Sequence, residues 1–174
     1  MGVLSKLRYY VNIETLLQTY YSLVQSHLSY SLMSWGAAGT TILQPLRVLQ
    51  NRAMRIIFRA SRYTRLDHVY LNLRVLKLDD LYKLTIAKFM HQYYHGTLPD
   101  QFSGLLFETN SLYHRRLRSS STSTYRSVRC KKTNTQRSIR HIGPKIWNEV
   151  PDLHRNESNF NFKRHYTNLR LANY

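Results

Sequence analysis

The sequence predicts a mostly α fold: a small three- to four-helix bundle followed by a basic, partly irregular C-terminal extension. Three observations carry that expectation. Apolar residues recur at helical spacing in three stretches of the first hundred or so residues. Recognisable start and stop residues bracket those stretches. After Phe107 the periodicity fades, and residues 108–145 hold ten Lys or Arg against a single acid, Glu108.

The elements follow in order. Asn12 is placed to cap a helix whose first turn carries Glu14, an acid suited to the positive end of the helix dipole. Ile13, Leu16, Leu17, Tyr20, Tyr21, Val24, His27 and Leu28 share one face, and Trp35-Gly36 ends the run. Pro45 suits an early position of the next helix, where its missing N–H is not needed. Leu46, Leu49, Ala53, Ile56 and Ile57 form that helix's apolar stripe, with Arg47, Arg52, Arg55, Arg59 and Arg62 mostly off it. Residues 68–76 are mixed in character. Asp79-Asp80 opens a third helix with Leu81, Leu84, Ile86, Phe89, Met90 and Tyr93 as its apolar set, closed by Gly96 and Pro99. Residues 118–125 (RSSSTSTY) read as a Ser/Thr-rich linker. Short strands at 125–128 and 137–142 are expected to pair as a hairpin. Gly143-Pro144 breaks the chain before a short helix presenting Trp147, and a last helix covers 160–171 with Phe160, Phe162, Tyr166 and Leu169 as buried positions. The implied division is 1–103, 104–142 and 143–174.

Charge bounds the function classes. Twenty-six Lys and Arg against nine Asp and Glu give a formal net charge of +17. Such an excess repels itself unless a polyanion or acidic partner neutralises it, and nucleic acid is the commonest polyanion. One cysteine, Cys130, excludes an intrachain disulfide and a multi-cysteine zinc site. The chain reads as intracellular, in cytoplasm or nucleus. No apolar run is long enough to span a bilayer, and the start is too quickly polar for a signal peptide. No membrane partner is expected.

Catalytic constellations are sparse. Two-metal phosphoryl transfer needs carboxylates converging on ions about 4 Å apart. Asp79-Asp80 is the only adjacent acidic pair, and helix capping explains it better. His91 and His95, four apart, can share a helix face, yet a zinc site needs further ligands and none lies near in sequence. The other histidines support no triad, and six unpatterned glycines supply no phosphate loop. No catalytic residue, metal, cofactor or small-molecule substrate is expected. Basic and aromatic residues do interleave, at Arg8-Tyr9-Tyr10, Arg62-Tyr63, 113–116 and Tyr125-Arg126. Rings of that kind stack on bases while guanidinium groups reach phosphates. For Tyr20, Tyr21 and Tyr93 a core position is the better reading.

An ordered set of motifs resembles reverse transcriptases (RNA-directed DNA polymerases) of non-LTR retrotransposons, the LINE or jockey-like class. It comprises Leu7-Arg8-Tyr9-Tyr10, Ser29-Tyr30, Trp35-Gly36, and then Leu49, Gln50, Ala53, Arg55 and Ile56. Leu73, Val75, Leu76 and Leu78 follow, then Lys88-Phe89-Met90, Leu98-Pro99, and the run from Gly143 through Pro144, Trp147 and Asn148 to Pro151. Each motif is weak alone; the order makes the set specific. The resemblance implies that residues 1–103 are a polymerase thumb gripping template–primer duplex, and that 104–174 are the basic connection behind it. Palm and fingers, with their catalytic aspartates, would lie upstream of Met1. The expected partners are RNA, RNA/DNA duplex and those missing polymerase domains. The cations expected at phosphates are Arg52, Arg55, Arg59, Arg62, Arg115, Arg116, Arg118, Arg126, Lys131 and Lys132, with Trp35, Gly36 and Trp147 as structural residues. A non-functional remnant or a protein-interaction module is the alternative.

Overall fold

The computed structural model describes residues 2–61, 63–102, 125–127 and 129–174. Regular structure among them is helical: α1 (Gly2–Leu7), α2 (Ile13–Tyr20), α3 (Ser26–Ser29), α4 (Leu32–Trp35), α5 (Thr40–Ile57), α6 (Leu66–Leu73), α7 (Leu78–Tyr94), α8 (Thr133–Gln136), α9 (Ile139–Asn148), α10 (Asp152–Arg155) and α11 (Asn159–Leu171). The protein is therefore mostly α. It forms two compact units, one of residues 1–82 with 167–174 and the other of residues 83–166. This division differs from the one composition suggests. A shift in composition marks a linker, whereas the actual boundary falls inside the continuous helix α7, which composition does not mark.

In the first unit, the Asn12 side chain accepts from Thr15 N at 2.9 Å and caps α2 as expected. Between α2 and α3 the backbone widens into a π-helical turn, Tyr21–Gln25. Hydroxyls of Thr19, Ser22, Ser26 and Ser29 donate back to carbonyls of the preceding turn. Such back-bonds compete with the ladder and loosen it, which favours a π-turn. The turn also rotates Tyr21 outward: Tyr20 is buried while Tyr21 is 42% exposed, so the core position predicted for Tyr21 is corrected. The helical run stops at Ser29, earlier than predicted, because Ser31 is left-handed (φ 49°). Trp35 Nε1 closes over this break by donating to Tyr30 O at 2.8 Å.

Helix α5 starts at Thr40, so Pro45 lies inside it rather than at its start. Its buried stripe is Leu43, Gln50, Ala53, Met54, Ile56 and Ile57, while Leu49 is 44% exposed. The predicted stripe is thus rotated, because a polar residue takes the inward position. Gln50 Nε2 donates to Tyr20 Oη (3.1 Å) and Leu76 O (3.0 Å), and its Oε1 accepts from Leu78 N (2.9 Å). A buried amide satisfied on this scale is stabilising where an unsatisfied one would not be. Around it Leu4, Leu16, Tyr20, Ala53, Met54, Ile57, Val69, Tyr70 and Val75 form the core. Desolvation pushes the Tyr20 phenol up to about 12, and burial beside Tyr20 and Tyr174 raises that of Tyr70 further.

Asp79 and Asp80 serve as tie points, a role the capping explanation missed. Asp79 takes a two-pronged pair from Arg47 (2.7 and 3.0 Å), and Asp80 accepts from Arg170 (2.9 and 3.0 Å) and Tyr174 Oη (2.9 Å).

In the second unit, Trp147 is fully buried, its ring 5.3 Å from Tyr94 and 6.0 Å from Phe162. Helix α7 ends as predicted, with Gly96 left-handed (φ 65°) and two closing bonds, Gly96 N to Tyr93 O and Thr97 N to Gln92 O. The predicted hairpin is absent among the described residues. Residues 139–142 begin α9 instead, and Gly143-Pro144 sits within that helix. Ser138 caps it through Arg140 N, and a proline this early in a helix removes only one ladder bond. Asn148 holds Tyr125 by a reciprocal pair, Nδ2 to Tyr125 O at 2.9 Å and Tyr125 N to Oδ1 at 3.4 Å. Phe160 is 74% exposed, so only Phe162 and Tyr166 of the α11 expectation, with Leu171, are buried.

Candidate nucleic-acid interface

In the first unit, the arginines of α5 divide into those held by the protein and those facing water. Arg47 belongs to Asp79. Arg55 Nη1 donates to the carbonyls of Ser61 (2.8 Å) and Thr64 (3.1 Å), bracing the loop after α5. Arg59 Nη2 donates to Arg8 O (2.9 Å) and Val11 O (3.2 Å), tying the end of α5 to the α1–α2 connection. These two predicted phosphate contacts therefore have internal partners; sequence spacing shows that a side chain leaves the apolar stripe, not what it meets. Arg52 is exposed. Arg62, Arg115, Arg116 and Arg118 lie outside the described residues.

Two helices of this unit end in a left-handed arginine. Arg59 (φ 53°) and Arg74 (φ 52°) each occupy the position a glycine usually fills, with closing bonds from Ala60 N to Arg55 O and from Val75 N to Tyr70 O. A left-handed non-glycine residue costs roughly 1–2 kcal/mol. The carbonyls of Arg8 and Val11 offset that for Arg59. Arg74 is exposed, and among the described residues its side chain makes no hydrogen bond or ion pair.

Beside Arg59 lies an open concavity of about 650 Å³ lined by Tyr9, Tyr10, Val11, Asn12, Ile13, Glu14 and Arg59. Tyr9 and Tyr10 are 74% and 86% exposed, and the Arg8 guanidinium stands 4.8 Å over the Tyr9 ring. Exposed rings flanked by guanidinium groups suit stacking on unpaired bases, though Glu14 disfavours a phosphate there.

In the second unit, a groove of about 600 Å³ is lined by Arg129, Cys130, Thr133, Gln136, Arg137, His141, Ile142 and Lys145. No acid lines it. Arg137, His141 and Lys145 recur every four residues, so α9 and the residues just before it present them along one edge. Lys131 and Lys132, both exposed, flank the chain that enters the groove, and Arg126 is exposed upstream. Basic side chains gathered along one edge make a surface that attracts anions. Arg129, Arg137 and Lys145 were not singled out from sequence. The signal for Arg137 and Lys145 is the four-residue spacing they share with His141, which a strand over 137–142 hides.

The three residues named as structural have definite surroundings. Trp147 lies in the aromatic core of its unit. Trp35 bridges the α3–α4 break. A Cβ on Gly36 would overlap the Tyr82 ring and come within 2.6 Å of Leu32 O, so only glycine fits.

His91 and His95 meet backbone: each Nε2 lies 2.9 Å from a carbonyl, that of Glu157 and that of Arg155 respectively. Burial lowers the His91 pKa, favouring the neutral ring, whose Nε2–H donates to that carbonyl. No helix among the described residues is long and apolar enough to cross a membrane. No protein-family model, no curated protein and no solved structure matches this chain.

Proposed function

We propose that this chain binds RNA and RNA/DNA duplex through backbone phosphates, without reading sequence, as the C-terminal part of a reverse-transcriptase-like protein. It performs no nucleotide transfer itself. The observation that carries this reading is the groove lined by Arg129, Arg137, His141 and Lys145 in a chain of net charge +17. Arg74 supports it, being a cation kept where backbone geometry favours glycine. The motif order from Leu7 to Pro151 supports the polymerase part of the proposal. Phosphate contacts position a protein on its polymer and carry no sequence information.

The test is a salt titration of binding to an RNA/DNA hybrid. Affinity falls linearly with salt on logarithmic axes, with a slope of about −0.9 per phosphate neutralised on duplex. The double variant Arg137→Gln, Lys145→Gln lowers that slope by about 2 in magnitude and weakens all sequences alike. Binding insensitive to salt would refute the reading.

One observation favours a second reading, a face for docking protein. Ile42 and Leu49 of α5, seven residues apart and therefore on one face, are 70% and 44% exposed. Under this reading the wild type binds no nucleic acid at moderate salt and self-associates, and Ile42→Lys with Leu49→Lys makes it monodisperse.

A further inference from the structure

The turn after α10 brings together three side chains that neither the groove nor the core uses. His154 Nδ1 lies 2.8 Å from Glu157 Oε1 and 2.9 Å from His165 Nδ1, and His165 Nδ1 lies 3.1 Å from the same carboxylate oxygen. All three residues offer a ligand atom within 4.8 Å of one another.

Protons do not explain this triangle well. Each ring nitrogen presents either one hydrogen or one lone pair, so hydrogen bonds satisfy at most two of the three edges. The third edge then sets like against like. A single cation at the centre satisfies all three. The edge lengths agree: ligands about 2.1 Å from a metal stand roughly 3.0 Å apart at right angles and roughly 3.4 Å apart at tetrahedral angles. The observed 2.8, 2.9 and 3.1 Å edges match the right-angled, facial arrangement.

Two further observations point the same way. Glu157 Oε2 is buried and has no hydrogen-bond partner among the described residues. The site is also held in advance, since His91 and His95 bind the carbonyls of Glu157 and Arg155 and fasten the turn to α7. Supporting groups of this kind orient ligands before the ion arrives.

We propose that His154, Glu157 and His165 bind one divalent first-row transition-metal ion through Nδ1, a carboxylate oxygen and Nδ1, clipping the 152–158 turn to α11. Two imidazoles and one carboxylate suit zinc or its neighbours in the series and are a poor set for calcium or magnesium. The remaining coordination positions hold water. The proposal does not depend on the nucleic-acid reading.

The full-length chain is titrated with Zn²⁺ and with Co²⁺ by calorimetry while histidine ring resonances are followed by NMR. One ion binds per chain, the His154 and His165 rings shift, and those of His27 and His68 do not. His165→Ala and Glu157→Gln, checked for an unchanged circular dichroism spectrum, each weaken binding more than about 100-fold, beyond the loss that follows removal of a group merely supporting a ligand. His27→Ala leaves it unchanged. No binding by the wild type at millimolar zinc overturns the proposal. So does undiminished affinity in both site variants.

Discussion

Gln50 shows how a single polar side chain organises the first unit. It joins α5 to Tyr20 and to the backbone of Leu76 and Leu78 through three buried hydrogen bonds. Gln50→Leu keeps the shape but strands those partners, and is expected to cost about 3 kcal/mol in urea unfolding. A loss under about 1 kcal/mol would mean the partners find water. Arg74 gives the opposite sign. Arg74→Gly relieves left-handed strain and adds flexibility to the unfolded chain, a net gain of roughly 0.5–1 kcal/mol. A stabilised protein that binds RNA more weakly would tie the strain to function. In the sequence Gln50 stands out only as part of a motif; no periodicity rule marks a glutamine as buried.

At the scale of elements, helix ends were more legible than helix faces. Asn12 and Gly96 do what their types suggest, because capping depends on backbone geometry within a turn or so of the residue. Spacing sets the inward face of α5 one residue off and divides α9 into strand, break and helix. Both errors have the same origin: which side is buried depends on what packs there. Helix α9 carries its own prediction. Trp147→Ala removes the side chain around which Tyr94 and Phe162 pack, and should destabilise by about 3–5 kcal/mol in the same urea assay.

For the whole molecule, the tyrosines set an alkaline limit. Tyr20, Tyr70 and Tyr174 all have phenol pKa values raised by burial. Raised folded values mean the unfolded chain ionises first, so the stability they contribute is complete below about pH 10 and is lost as pH rises toward 12. The tyrosinate absorbance beyond that of exposed rings such as Tyr9 and Tyr10 should then rise together with the loss of helical ellipticity above pH 10, and Tyr20→Phe should raise the midpoint. Ionisation of the whole tyrosine set before helix loss would show the buried phenols accessible in the fold. The acid side is governed differently: Lys77 holds the Asp67 carboxyl below its usual range. That contribution is present above the unfolded value of 3.8 and fades as pH falls through the folded one. Asp67→Asn should flatten the acid limb of the stability curve.

The sequence by itself determined the mostly α class, the helix caps and the basic character, because each follows from residue type and near-neighbour spacing. Tertiary structure alone decided which cations stay free. Arg47, Arg55 and Arg59 have internal partners, at Asp79 and at carbonyls up to 51 positions away. It also decided that His154, Glu157 and His165 converge, across a turn and into the next helix. Convergence of side chains from separate elements is a property of packing, and no local pattern encodes it.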